Sequence, residues 1–370
     1  MNPAADAAYM ADAIRFAERG LYTAHPNPRV GAVIANRGKI VCRGFHLKTG
    51  EAHAEANALA EAGEASRGAT VYCTLEPCSF HGRTPSCAQA LIDAGVSRVV
   101  VAMVDPHPKN AGAGIRMLQD AGIEVVCPYM ESSARLLNPG HVKRLEQGLP
   151  FVRLKLAMSL DGKTALANGE SRWITGEPAR RDVQKLRARS SAIVTGVQTV
   201  IDDDPSMTVR AGELETEFAA VSASLGRPIV ILDPNLRVNA DAGLLANPNT
   251  VIACLDSAPE RPEINATRLR MPADAVGRID LHELLRHLAD MECNEVLFEC
   301  GATLAAAVIA AGLVDELVIY AAPVMMGADA RSLLKLAKID SMHDLIELQV
   351  ADVRHIGKDI RMTCVPVSRK

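Results

Sequence analysis

His53-Ala54-Glu55 opens the stretch HAEANALAEAGEASRGATVYCTLEPCSFHGRTPSC, which runs to Cys87 and contains Thr74-Leu75-Glu76-Pro77-Cys78. One imidazole and two thiolates, from His53, Cys78 and Cys87, supply three ligands to a tetrahedral zinc and leave a fourth position open for water. Zinc lowers the pKa of that water towards neutrality. Glu55 stands two residues from the first ligand, where it can move protons without binding metal.

H-x-E followed by P-C and a second Cys is the division of labour of zinc-dependent nucleobase deaminases. There the last two ligands usually follow as C-x-x-C. Here eight residues separate Cys78 from Cys87, which makes room for substrate-binding groups between them. Two plainer readings compete. His81 would close a structural four-ligand site, and a buried thiol pair would need no metal at all. The spacing favours catalysis.

With 370 residues the chain exceeds what one core organises, so two domains are expected. A hydrophobic content of 48% fits a globular protein. A net charge of −4 speaks against a nucleic-acid polyanion as partner. Nine cysteines, an odd number, make no disulfide framework and fit a reducing cytoplasm. The N-terminus lacks the basic and apolar regions of a signal peptide. The longest apolar run, Leu304 to Val314, has eleven residues, too few to span a bilayer. A soluble, cytoplasmic protein is expected, with no membrane partner.

Upstream of the stretch, Met10, Ile14, Ala17 and Leu21 recur at helical spacing. Prolines force a loop at His25-Pro26-Asn27-Pro28, where Asn27 is either a turn residue or a hydrogen-bonding group for a heterocycle. Strands are predicted at Ala32-Val33-Ile34, Ile40-Val41-Cys42 and Val71 to Leu75, and His53 to Ala62 reads as a helix. Arg83 in the insert could grip phosphate through its planar fork. Alternating strands and helices follow to a last helix, Arg135 to Glu146, and imply an α/β sandwich. At Gln147-Gly148-Leu149-Pro150 the pattern restarts, placing the boundary at about residue 148.

The second half opens on the strand Phe151 to Ala157. The sole tryptophan, Trp173, lies in a Gly/Ser/Arg-rich segment and is as much a site residue as a core one. Asp202-Asp203-Asp204 reads as a turn or cap, and residues 211 to 226 as a surface insertion with Glu213, Glu215 and Glu217 exposed. Buried-type strands are predicted at 228–232 and 250–254, and a further strand at 295–299. Gly301-Ala302-Thr303 opens an Ala-rich helix whose N-terminal N–H groups suit a phosphate. No G-x-G-x-x-G stands there, so no Rossmann reading follows.

Across nearly its whole length the chain resembles the bifunctional riboflavin-biosynthesis deaminase–reductase family. The resemblance rests on HPNPRVGAVI, HAEANALAEAG, TLEPCSFHGRTPSC and DPHPKNAGAGI, then KLAMSLDGKTA, GESRWITGEPARRDVQKLRA, DDPSMTVR and LVDELVIYAAPVMMG. It implies a cytidine-deaminase-like three-layer α/β/α domain over 1–148 and a dihydrofolate-reductase-like α/β domain over 149–370. It also implies zinc, one ion per chain, with NADPH as the second cofactor. The implied substrate is a phosphoribosylated pyrimidine, first deaminated and then reduced from ribosyl to ribityl. A homo-oligomer is expected.

By the same resemblance His53, Cys78 and Cys87 hold zinc and Glu55 shuttles protons, while Asn27, His46, His81 and Arg83 hold the deaminase substrate. Ala157, Trp173, Thr199 and Asp203 fall on NADPH positions, and Gly301, Ala302 and Thr303 on a cofactor phosphate turn. Ser171, Arg187, Met207, Arg210 and Glu299 fall on reductase substrate positions. The chain departs from the family at Ser86, in place of a common proline, at Cys300 and at His107. A rival reading, a transfer-RNA deaminase with an accessory domain, would share the H-A-E and P-C elements, but it predicts a basic groove and leaves the second half unexplained.

Overall fold

The computed structural model describes residues 3–81, 85–171 and 173–367. The chain divides into two compact units, Met1–Gly148 and Leu149–Lys370. All nine cysteines are free thiols. Among the described residues no helix is long and apolar enough to cross a membrane.

The first unit runs α1 (Pro3–Ala17), β1 (Gly31–Asn36), β2 (Lys39–Phe45), α2 (Ala54–Ala62), β3 (Thr70–Cys73), α3 (Cys87–Asp93) and β4 (Arg98–Val101). It ends with α4 (Ala113–Asp120), β5 (Glu124–Val126), α5 (Glu131–Leu137) and α6 (Pro139–Gln147). The sheet order is β2-β1-β3-β4-β5, antiparallel about β1 and parallel from β3 to β5. Side chains alternate across a strand, and here both faces are covered. Ala32, Ile34, Val71, Cys73, Val99 and Val101 pack with Ala54, Ala58, Ala88 and Leu91. Val33, Ala35, Tyr72 and Val100 pack on the other side with Met10, Ala13, Ala134 and Val142. The result is a three-layer α/β/α sandwich.

Gly44 lets α2 lie close on this sheet, since a Cβ there would stand 2.0 Å from the Ala54 carbonyl oxygen. The expected helix from Arg135 to Glu146 is two helices. Pro139 lacks the N–H that a continuous helix would use, so α5 ends at Asn138 and α6 begins anew.

The second unit runs β6 (Phe151–Ser159), β7 (Lys163–Ala165), α7 (Glu177–Arg189), β8 (Ala192–Gly196), α8 (Val197–Asp203), α9 (Ala219–Ser224), β9 (Ile229–Leu232) and β10 (Thr250–Leu255). There follow β11 (Thr267–Met271), α10 (Leu281–Asp290), β12 (Glu295–Glu299), α11 (Ala302–Ala310), β13 (Glu316–Ala322), β14 (Arg331–Ser332), β15 (Leu348–Ile356) and β16 (Asp359–Pro366). The main sheet has the order β11-β10-β9-β8-β12-β6-β13-β16-β15. It is parallel from β11 to β13, and β16 and β15 extend it antiparallel. Near-continuous apolar strands such as Ile229–Leu232, buried throughout, are what a parallel sheet covered on both faces requires.

Parallel strands bring their carboxyl ends to one edge, and ligands in open α/β sheets bind where the winding reverses. Here β12 is inserted between β8 and β6, so the reversal lies at Gly196, Glu299 and Lys155. Residues 211 to 226 are not a detached insertion. Leu214 and Ser222 are buried, and Arg227 donates to the Ser222 hydroxyl at 3.0 Å. Glu213 is half-buried and pairs with Arg210 at 3.0 Å.

Candidate active site

The zinc motif closes in space. His53 is the N-cap of α2, Cys78 lies in the turn after β3, and Cys87 is the first residue of α3. Their ligand atoms all lie within 4.8 Å of one another. His53 Nδ1 is 3.3 Å from Cys87 Sγ and 3.6 Å from Cys78 Sγ. A tetrahedral zinc at ordinary bond lengths separates N and S ligands by about 3.6 Å, so the three fit the ion. The neighbouring Cys87 thiol, against the opposing effect of burial, and His53 hold Cys78 well below the ordinary thiol range. His81 is exposed and outside this cluster. Arg83 lies outside the described residues.

Ser86 caps α3, accepting from Gln89 N at 3.2 Å, and donates to the Cys78 carbonyl at 2.8 Å. The departure from proline thus adds a tie between the two cysteines. Glu55 sits in the first turn of α2 and is buried. Burial raises its carboxyl above the usual range, the condition for a group that must hold a proton and then release it.

Beside His53, the His46 ring stands edge-on at 5.3 Å. Its Nδ1 faces the Ala52 carbonyl at 3.1 Å and must donate there, so Nε2 accepts from Asn27 Nδ2 at 3.0 Å. Burial lowers the His46 pKa, which keeps this neutral tautomer. Asn27 is thus tied to the ring that packs against the ligand His53.

Glu76 gave no sign of its role in the sequence. Its buried carboxylate accepts from Asp105 N (3.1 Å), Gly112 N (2.9 Å), Gly114 N (2.9 Å) and Ile115 N (3.3 Å). Asn110, also buried, receives Ser79 N at 3.0 Å. Together they pin the turn that carries Cys78 to the start of α4. His107 takes part in the same loop, accepting from Lys109 N at 3.2 Å.

In the second unit a cavity of about 1520 Å³ opens at the carboxyl edge of the sheet. Ala157, Ser171, Trp173, Arg187, Thr199, Asp203, Met207, Arg210, Glu299, Gly301, Ala302 and Thr303 all line it. Single-ligand sites are usually about 300–1,000 Å³, so this volume accommodates two molecules at once. Trp173 is 69% exposed, which settles it as a lining residue, with the Arg180 guanidinium 4.5 Å from its ring centre.

Arg187 binds Glu299 through two bonds, 2.6 and 3.0 Å. Against the upward push of burial, Arg187 and Lys155 hold Glu299 below its usual pKa. Lys155 lines the same cavity and was missed, because nothing in Arg153-Leu154-Lys155-Leu156-Ala157 distinguishes an inward lysine on a buried strand. Burial and Glu299 push the Cys300 thiol up to about 12, so it is a neutral lining group.

Residues 3–103 match the cytidine and deoxycytidylate deaminase zinc-binding region, and residues 150–362 the RibD C-terminal domain. The Escherichia coli riboflavin biosynthesis protein RibD is 45% identical over 358 residues, covering 96% of this chain and 98% of that protein. The chain belongs to the RibD family. The Haemophilus influenzae member is 45% identical, covering 98% of this chain and 97% of its own length. A solved structure of Acinetobacter baumannii RibD superposes with a TM-score of 0.91 at 41% identity, covering 99% and 100% of the two chains. A Thermotoga maritima structure described as a diaminohydroxyphosphoribosylaminopyrimidine deaminase/5-amino-6-(5-phosphoribosylamino)uracil reductase has a TM-score of 0.83 at 27% identity, covering 99% of each. As a RibD family member the chain is a bifunctional enzyme of riboflavin biosynthesis, a deaminase joined to a reductase. The transfer-RNA deaminase reading is set aside, since the reductase match accounts for the half it left unexplained.

Proposed function

We propose that residues 1–148 carry the deaminase and residues 149–370 the reductase. The substrate is 2,5-diamino-6-(5-phosphoribosylamino)pyrimidin-4(3H)-one, deaminated to 5-amino-6-(5-phosphoribosylamino)uracil and then reduced by NADPH to the ribityl compound. The observation that carries the first step is the convergence of His53, Cys78 and Cys87, with buried Glu55 two residues from His53 in the first turn of α2. One zinc per chain, held by those three side chains, would supply a Lewis acid that brings water's pKa near neutrality.

Glu55 takes the proton from the attacking water and delivers it to the departing amine. His46, fixed as a neutral tautomer, turns the Asn27 amide so that its Oδ1 faces away from the ring. That oxygen can accept from an amine of the pyrimidine. His81 and Arg83 are assigned to the same substrate from the sequence.

For the second step, Ala157 and Trp173 flank the nicotinamide, Thr199 and Asp203 the rest of the dinucleotide, and the turn Gly301-Ala302-Thr303 its phosphates. The hydride comes from the cofactor and the protein supplies orientation. Glu299, ionised between Arg187 and Lys155, accepts from the ribosyl hydroxyls. Ser171, Met207 and Arg210 complete the substrate end.

Free thiols throughout support a reducing, cytoplasmic setting. A homo-oligomer is supported by the edge strand β15, on which Val350 and Val353 are 57% and 59% exposed. Such an edge is ordinarily covered or charged.

Glu55→Gln tests the division of labour. Zinc should stay bound, deamination should fall by at least ~10²-fold, and reduction of supplied aminouracil substrate should continue near the wild-type rate. Intact deamination would remove Glu55 from the mechanism. Collapse of both activities would show that the units do not work independently.

A further inference from the structure

We infer that Asp359 and Arg180 are positioning residues for the reductase step, which together hold the segment that carries Trp173. The inference rests on the reductase reading above, in which Trp173 flanks the nicotinamide, and goes beyond it by naming what fixes the indole.

The two side chains close on one peptide unit. Thr175 and Gly176 lie between Trp173 and the start of α7, and the peptide they share is held at both polar atoms. The Thr175 carbonyl accepts from Arg180 Nη1 at 2.8 Å, and the Gly176 N–H donates to Asp359 Oδ2 at 2.7 Å. In a planar trans peptide these two groups point opposite ways, so the bonds come from opposite sides and fix the plane between them. Two residues upstream Arg180 acts again, with its guanidinium 4.5 Å from the centre of the Trp173 ring. A cation over an aromatic face is attracted by the ring quadrupole, so one arginine ties both the peptide and the indole.

Asp359, the first residue of β16, is fully buried. Its Oδ1 has no hydrogen-bond partner among the described residues. An unpaired buried oxygen is costly, so this carboxylate is poorly explained by packing and well explained by the loop it holds.

Helix α7 is docked without either tie. Its Ala179, Val183 and Leu186 pack with Leu297, Val318 and Tyr320. Its Asp182 accepts from the Tyr320 hydroxyl at 2.6 Å and from Arg361 Nη1 at 2.9 Å. Loss of Asp359 or Arg180 therefore loosens the segment and leaves the helix in place. Trp173 is largely exposed on the cavity wall, where burial does little to set its direction, and a misplacement of about 1 Å in a reacting geometry slows catalysis steeply.

The test uses the full-length chain with Asp359→Ala, Asp359→Asn and Arg180→Ala, each checked for folding by a thermal melt. Because Trp173 is the only tryptophan, its fluorescence anisotropy reads the segment directly, with no cofactor added. Both alanine variants should lower that anisotropy and reduce kcat for NADPH-dependent reduction about tenfold, the loss of one charge-assisted bond. Asp359→Asn keeps an oxygen for the Gly176 N–H and should hold both quantities near wild type. Should Asp359→Ala fail to fold, the half-buried Arg180 still carries the test. Wild-type anisotropy in the folded alanine variants overturns the inference, as does lowered anisotropy with an unchanged kcat. Asparagine that behaves like alanine at position 359 also overturns it. In each of these cases wild-type reduction stands and so does the reductase reading. A wild-type chain that performs no NADPH-dependent reduction removes that reading, and the inference with it.

Discussion

Gly114 donates its N–H to the Glu76 carboxylate at 2.9 Å, and it does so from a position where no side chain fits. A Cβ there would stand 1.9 Å from the Pro77 carbonyl oxygen, one residue before a zinc ligand. Gly114→Ala should therefore push α4 off the Cys78 turn, at a cost of about 1–3 kcal/mol, and weaken zinc retention. Glu76→Gln replaces an acceptor oxygen with an amine facing N–H donors, leaving buried groups unsatisfied at ~1–3 kcal/mol. Zinc release to a chelator, timed in both variants, checks this. Wild-type retention in both would mean that the turn holds without α4.

Trp173 reports on the reductase cavity because it is the only tryptophan. NADPH added to the full-length chain should quench its emission to a saturating level. If calorimetry shows NADPH bound while the emission stays constant, Trp173 does not flank the cofactor.

Acid stability should depend on Asp6. Arg98 contacts it through two bonds, 3.0 and 2.9 Å, and the Tyr72 hydroxyl donates at 2.6 Å. The Arg98 bonds, against the opposing effect of burial, hold the Asp6 carboxyl below its ordinary pKa. A depressed carboxylate stabilises the fold fully above the unfolded value of ~3.9 and loses that contribution as pH falls through its own lower pKa. Asp6→Asn should cost about 1.5–3 kcal/mol at pH 7, and the difference should shrink below about pH 4. Urea midpoints at several pH values check this; a gap that does not change with pH would show that the pair's charge contributes nothing.

Val350→Lys with Val353→Lys places charge on the exposed edge of β15. Natural edges use lysine to block pairing, so the double variant should sediment as a smaller species than wild type. An unchanged sedimentation coefficient would place the subunit contact elsewhere.

The ligand triad was legible because each member marks an element boundary in a short motif: His53 at a helix start, Cys78 after a strand, Cys87 beneath a capping serine. The succession of strands and helices likewise announced an α/β sandwich. Glu76 was not legible, because its partners are backbone N–H groups up to 39 residues away and backbone groups carry no residue signature. Arg187 and Glu299, 112 residues apart, came from family resemblance rather than spacing. The break at Asn138 and Pro139 was in plain view. The N–H that Pro139 lacks is what ends a helix expected to run unbroken from Arg135 to Glu146.

The chain between Cys78 and Cys87 is closed at its base. The Cys78 carbonyl accepts from Ser86 Oγ at 2.8 Å and Ala88 N at 3.1 Å, and Cys87 N points at Cys78 Sγ from 3.2 Å. Such a neck separates two jobs that the sequence places side by side. The bonds at the base hold the ligands together, and the residues beyond it are relieved of that duty. Doubling a loop closed in this way costs only about 0.6 kcal/mol, so its length and side chains can change without moving the metal site. Evolution can therefore re-tailor what the deaminase grips, one residue at a time, while the hydrolytic chemistry beneath stays as it is.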